Sequence, residues 1–340
     1  MTRTKYEIEL ERLDTTYERA LNTDILRVKK AIAGASDFSI IGVGSGGSFT
    51  VASLLCNLHE TYTGRVSRPS TPLELICIPT LASTSPVFLI SAEGKNPDII
   101  EALKRSRLHS ARPIHIITNR KRNPLIDCAT QLTDISIHSF EISDKDGFLA
   151  TNSLLFNATL IARAYQELDG RVSHMPTTTS ELLLGEQPIS DWIRLAKPFV
   201  DEAVGRGAVL VTFSPLLRPV AADFESKLAE SALLHCQLAD LRSFAHGRHL
   251  WLAERPGDCA IIALIEPTLQ ELWQSTLDLI PVEIPTLTMP LGSAEPQDLL
   301  AGLVAQMNLV AEIARCSGRD PGQPSVRQFG RDSTICVFPS

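Results

Sequence analysis

Three charged residues, Asp223, Lys227 and Glu230, recur at i, i+4 and i+7 within Ala222-Asp-Phe-Glu-Ser-Lys-Leu-Ala-Glu230. On a helix this spacing puts an acid, a base and a second acid on one face while Phe224 and Leu228 turn elsewhere. Such a face can carry a carboxylate that takes and returns a proton, with a pKa set by its neighbours. The same spacing also serves a solvated stripe of ordinary ion pairs, and spacing does not separate the two. Downstream, His246 lies in Phe244-Ala-His-Gly-Arg-His249, ahead of a glycine, where an imidazole titrating near neutrality suits proton traffic. An unplaced histidine is more often an ordinary surface or core residue, and His249 has a weaker case.

Two turns in the first half could hold a ligand. Gly44-Ser45-Gly46-Gly47-Ser48 falls between an apolar run and a helical stretch, where backbone N–H groups and the Ser45 and Ser48 hydroxyls could cradle a phosphate or a sugar. A tight strand-to-helix turn that needs glycine for its dihedrals reads the same way. It is not the dinucleotide fingerprint, because the third glycine is misplaced and no acidic strand end follows. The second turn, Ser91-Ala-Glu-Gly-Lys-Asn96, contains Ser91, Lys95 and Asn96 as ligand candidates, but Glu93 stands among them and would repel a phosphate unless Lys95 or another cation offsets it.

These turns need a scaffold, and the hydrophobic pattern supplies an α/β one. Tyr6 to Ile32 carries apolar residues at three- and four-residue steps and predicts a helical preface. Strands are predicted at Phe38–Val43, Leu73–Ile78, Val87–Ile90 and Ile114–Thr118, and helices at Phe49–Thr61, Pro97–Leu108 and Thr151–Leu168. A second half repeats the scheme, with strands at Ala208–Phe213, Cys259–Ile265 and Val282–Met289 and helices at Arg218–His235, Leu269–Leu279 and Gln297–Cys316. Strands apolar on both faces and alternating with helices predict mainly parallel sheets flanked by helices in a flavodoxin-like three-layer arrangement. The expected organisation is an N-terminal helical segment over 1–35, a first domain over 36–170, a linker over 171–190, a second domain over 191–317 and an irregular tail over 318–340.

Composition narrows the partners. A chain of 340 residues, 44% hydrophobic, suffices for two domains with real cores, and its net charge of -7 argues against nucleic acid. No apolar run approaches the length of a membrane span, and the charged N-terminus lacks an apolar signal core, so a cytoplasmic protein is expected. Seven cysteines are scattered without a C-x-x-C pair and read as reduced thiols, with no metal and no cofactor implied.

In order, from about Phe38 to Phe338, these segments resemble the sugar-isomerase (SIS) family, in particular the isomerase part of glucosamine-6-phosphate synthase and the fructosamine-phosphate deglycases. That family carries L-E-G-A-L-K-L-K-E followed at a fixed distance by K-H-G-P. Asp223 stands at the first Glu, Lys227 at the first Lys, Glu230 at the last Glu and His246-Gly247 at the His-Gly, with no gap between them. The resemblance implies two SIS-type domains. It also implies Glu230 as the carboxylate that moves a proton between the two carbons nearest the anomeric end, supported by Asp223 and Lys227, and His246 as the residue that opens the sugar ring. In the family that histidine serves a neighbouring subunit, so a homodimer with a shared site is implied.

The family's phosphate turn S-Q-S-G-E-T corresponds to Ser91–Asn96, with Glu93 in place of the second Ser, and its C-G-T-S turn to Val43–Gly46. Its G-V-A-S-T-K turn corresponds to Gly147–Asn152, which makes Thr151 a ligand candidate. The terminal Ala-Lys of the synthase appears as Gly330-Arg331; Arg331 could bind substrate but keeps its proton where Lys exchanges one. Without an N-terminal cysteine nucleophile, ammonia-dependent synthesis is not expected. The resemblance therefore implies isomerisation or deglycation of an amino-sugar or ketosamine derivative. A non-catalytic or regulatory sugar-binding protein is the alternative. A third reading keeps the catalysis and lets Glu93 hydrogen-bond a hydroxyl, amine or cationic group of an unphosphorylated ligand.

Overall fold

The computed structural model describes residues 3–142, 145–170, 175–293 and 295–323. They form two compact units. One holds the described residues of Thr23–Lys145 and Leu160–Val172; the other holds those of Met1–Asn22, Asp146–Thr159 and Ser173–Gln323.

The preface is three helices rather than one, α1 (Lys5–Leu10), α2 (Leu13–Asn22) and α3 (Leu26–Gly34). The breaks are written locally. Thr4 and Glu7 cap α1 reciprocally, and the Asp24 carboxylate accepts from the Leu26 amide at 2.9 Å to open α3.

The first unit runs β1 (Ile41–Val43), α4 (Gly47–Thr63), β2 (Arg68–Ser70), α5 (Pro72–Cys77), β3 (Val87–Ile90), α6 (Pro97–His109), β4 (Ile114–Thr118), α7 (Pro124–Ala129) and β5 (Ile135–Ser139). Its five strands are all parallel in the order β2-β1-β3-β4-β5. Leu73 to Ile78, predicted as a strand, is therefore a correction: Pro72 opens α5 and Thr71 and Glu74 form a capping box, a helix start that overrides the short apolar run. The inner strands β3 and β4 are buried at every position, and Ile41, Val43, Val87, Leu89, Ile114 and Ile116 pack with Leu75, Ile99 and Leu103 of the covering helices. Each such aliphatic side chain contributes roughly 1.5–3 kcal/mol relative to exposure.

After α8 (Asn152–Leu168), the predicted linker contains a small antiparallel hairpin, β6 (Leu183–Leu184) with β7 (Gln187–Pro188). The second unit continues with α9 (Ile189–Arg206), β8 (Ala208–Phe213), α10 (Arg218–Glu230), β9 (His235–Asp240), α11 (Leu241–Ser243), α12 (Leu250–Glu254), β10 (Ala260–Ile265), α13 (Gln270–Leu277), β11 (Thr286–Pro290) and α14 (Pro296–Cys316). Its strands are parallel in the order β11-β10-β8-β9. The helix predicted to run from Arg218 to His235 stops at Glu230, because Ala232 adopts a left-handed φ of 52° and the Leu233 amide reaches back to the Leu228 carbonyl at 3.0 Å. Beyond it the chain is free to enter β9. By length and composition α14 could cross a membrane, at a mean hydropathy of 1.4, but 78% of that window is buried and the helix is a core element.

Candidate functional site

Helix α10 divides the charged motif in two. Asp223 and Lys227 are 2% and 3% exposed and form an ion pair at 2.6 Å, Nζ to Oδ2. The Gln306 amide of α14 donates to the same carboxylate oxygen, so the pair joins the two helices. Tyr6 lies near enough that the Asp223 charge adds to burial in holding its phenol well above the usual range. Neither member of the pair is a solvated stripe residue. Glu230, on the last residue of the helix, is exposed, and its carboxylate accepts from the Ser226 hydroxyl at 2.6 Å.

His246 is exposed on a short helical turn, Phe244–Arg248, that is kinked at Gly247. The turn is set by Asp240, whose carboxylate accepts from the Arg242 and Ser243 amides at 3.0 Å, and by Gly247, whose φ of 141° no side-chain-bearing residue would adopt readily. The His249 amide closes the turn on the Phe244 carbonyl at 3.1 Å. Glu230 and His246 thus present a carboxylate and an imidazole to solvent from ordered positions of the same unit.

In the first unit, β1 leads through α4 to β2 on one side while β3 lies on the other, so the turns after β1 and β3 follow the carboxyl ends of neighbouring strands at the switch point of the sheet. Ligands of open parallel sheets gather there. Ser45 and Gly46 are exposed and Ser48 half-buried. Gly44 is required by close approach, since a Cβ there would run into the Ser48 backbone. In the turn after β3, the Ser91 hydroxyl accepts from the Gly94 amide at 3.2 Å, and Asn96 caps α6 through the Asp98 amide at 2.8 Å. Gly94 has φ of 63°, and its missing Cβ leaves room for the Asn123 side chain.

Glu93 is paired. Arg120 Nη2 meets its Oε1 at 2.7 Å and Lys95 Nζ its Oε2 at 3.8 Å. Sequence reasoning did not single out Arg120, which follows β4 with no motif to mark it; the signal available was its place at the end of a predicted strand beside the two turns.

Thr151 is fully buried, its hydroxyl facing Glu9 Oε2 at 3.0 Å and Asp146 Oδ1 at 3.1 Å. The Asp146 carboxylate also accepts from the amides of Thr151, Asn152 and Ser153 and so caps α8. Burial raises the Glu9 carboxyl above its ordinary range. Thr151 is engaged in this internal cluster, and Arg331 lies outside the described residues.

No protein-family model matches the sequence, and no curated protein does. Solved structures match over nearly the whole chain. Glucosamine-6-phosphate deaminase from Thermotoga maritima superposes with a TM-score of 0.74 at 14% identity, covering 95% of this chain and 98% of that one. The C-terminal domain of glucosamine-fructose-6-phosphate aminotransferase from Francisella tularensis gives 0.70 at 14% identity over 94% and 98%. The chain has the sugar-isomerase fold. Tagatose-6-phosphate ketose/aldose isomerase from Escherichia coli shares it, with a TM-score of 0.68 and 16% identity over 95% of each chain. Within a sugar-isomerase fold, the turns after β1 and β3 and the helix α10 are positions set by the architecture, whereas Glu93, Arg120 and the buried Glu9–Thr151–Asp146 cluster are read only from the side chains of this chain.

Proposed function

We propose that the protein is a sugar isomerase or deglycase-type enzyme that moves a proton between the first two carbons of an amino-sugar or ketosamine derivative. Glu230 takes the proton from the carbon beside the carbonyl or imine and returns it to the neighbouring carbon, an exchange that one carboxylate on one face of the substrate can perform. His246 opens the sugar ring, supplied to the site by a second copy in a cytosolic homodimer. Ligand recognition is assigned to Ser45, Gly46, Ser48, Ser91, Lys95 and Asn96 at the first sheet's carboxyl edge.

The observation that carries this reading is the division of α10. Its buried charges are satisfied by each other, which leaves Glu230 exposed beside a single hydroxyl and available for proton transfer. The compared structures support the reading through their names, which describe a deaminase, an aminotransferase and a ketose/aldose isomerase of hexose 6-phosphates. One observation favours a non-catalytic sugar-binding protein instead: the Glu93–Arg120 pair, which alters the turn where the family binds phosphate.

Thermal stabilisation against hexoses, hexosamines and fructosamines, with and without phosphate, identifies a ligand, and turnover of each hit decides between the readings. The expected result is binding by both the parent and Glu230→Gln, with conversion by the parent alone. Binding without conversion by the parent establishes the non-catalytic reading. Mixing Glu230→Gln with His246→Ala chains restores turnover if His246 serves another copy's site, and leaves the mixture inactive if it does not.

A further inference from the structure

We infer that Glu93 makes the turn after β3 a filter against phosphate, so that the part of the ligand held there is a neutral or amino-bearing group that donates hydrogen bonds. The inference rests on the sugar-derivative reading above and names the class of sugar.

A turn that binds a phosphate dianion offers it unspent cations, free amides and a helix start. Here Arg120, two of the amides and the start of α6 are already engaged. Arg120 is fixed by three acceptors: Nη2 meets Glu93 Oε1 at 2.7 Å, and Nη1 donates to the carbonyls of Ile142 at 2.5 Å and Asn119 at 3.2 Å. Lys95 is drawn toward the other oxygen of Glu93 at 3.8 Å. The Gly94 amide donates to Ser91 Oγ and the Asp98 amide to Asn96 Oδ1. Asp98 supplies the first turn of α6 with its own negative charge, which complements the positive end of the helix.

Glu93 therefore stands as a built-in anion beside the cations an incoming phosphate would need. A phosphate must either displace it from Arg120 or sit beside a like charge. The turn is nonetheless not closed. The Glu93 side chain is 31% exposed and that of Arg120 is 25% exposed, so the carboxylate keeps an open edge. An ionised carboxylate only accepts hydrogen bonds, and hydroxyl or ammonium groups of a sugar derivative are donors that fit it.

The test compares the parent with Glu93→Ser, which removes the charge, and Glu93→Gln, which keeps the size. Calorimetric titration with inorganic phosphate, glucosamine and glucosamine 6-phosphate gives the preference for the phosphorylated over the unphosphorylated sugar. The expected outcome is a preference at least tenfold higher in both variants, with saturable binding of inorganic phosphate appearing only in them. An unchanged preference, a shift in the opposite direction, or parent binding of phosphate at least as tight as that of the variants overturns the inference. Should one variant lose its circular-dichroism signal, the other carries the measurement. The readout is binding alone, so it stands or falls separately from the turnover that tests Glu230.

Discussion

Replacing Lys227 by Met should destabilise the second-sheet unit far more than any substitution of the exposed Glu230. In the parent the Lys227 ammonium meets the Asp223 carboxylate at 2.6 Å, and both side chains are almost completely removed from water. The substitution keeps much of the buried volume but leaves a buried carboxylate that has lost its cation while keeping the Gln306 amide as a donor. Removing one partner of a buried pair typically costs about 3–5 kcal/mol, and the surviving amide places this case near the lower end, at about 3 kcal/mol. Converted by a urea dependence of about 1–3 kcal/mol per molar, this is a fall in midpoint of roughly 1–3 M.

The assay is intrinsic to the chain, because Trp192, Trp251 and Trp273 all belong to the unit that contains the pair, so urea unfolding followed by tryptophan fluorescence reports that unit. Asp223→Leu with Lys227→Met should recover most of the loss, since replacing both charges removes the uncompensated one. A midpoint change below about 0.5 M for Lys227→Met, or a double variant as unstable as the sum of its parts, would refute the reasoning.

Two further outcomes follow from the first unit. His115 and His138 are neighbours on β4 and β5, and burial lowers each imidazole to about 4, aided at His138 by the charges of His115 and Arg27. The unfolded imidazoles take up protons near 6.5 while the folded ones resist until about 4, so stability is complete above pH 6.5 and falls as pH drops toward 4, by up to about 3 kcal/mol per histidine. Thermal unfolding at pH 7 and pH 4.5 should show this loss, and a double His→Gln variant should show much less of it. Asn123→Ala should cost about 1–2 kcal/mol, because its buried amide holds Thr118 Oγ1 and the Arg120 carbonyl at 3.2 Å each while Oδ1 caps α7 through the Ile126 amide at 2.9 Å. Chemical denaturation read by circular dichroism measures it, and an unchanged midpoint would contradict the role.

Much of the scaffold was legible because its signals are local and strong. The buried strands β3, β4, β8 and β10 read directly as apolar runs bounded by turns. The failures share a different origin. Leu73 to Ile78 carries strand-like residues, yet the Thr71-Pro72-Leu73-Glu74 start decides for helix. Helix α10 ends at Glu230 and is turned by a left-handed Ala232 rather than a glycine, so composition gave no reason to stop it. Edge strands β2 and β5 are partly exposed, and their weak apolar content hid them. For the site, charge spacing brought Asp223, Lys227 and Glu230 forward together but could not show that two are buried and one exposed, because that depends on where α14 lies. Arg120 and Asn123 were invisible for the same reason: their work is done across the sheet edge, on turns distant in sequence.

The unit that contains α10 is assembled from three separated stretches, and its earliest residues wait longest for their partners. Tyr6 hands its hydroxyl hydrogen to the carbonyl of Met307, 301 positions away, and the Arg315 guanidinium reaches Glu7 at 2.7 Å. On the ribosome the first parallel sheet can close while these segments are still unsatisfied. Helix α1 therefore leaves the exit tunnel long before α14 and is packed only when α14 arrives, so changes that hinder its docking would be felt as slow or incomplete maturation of the unit that carries Glu230 and His246.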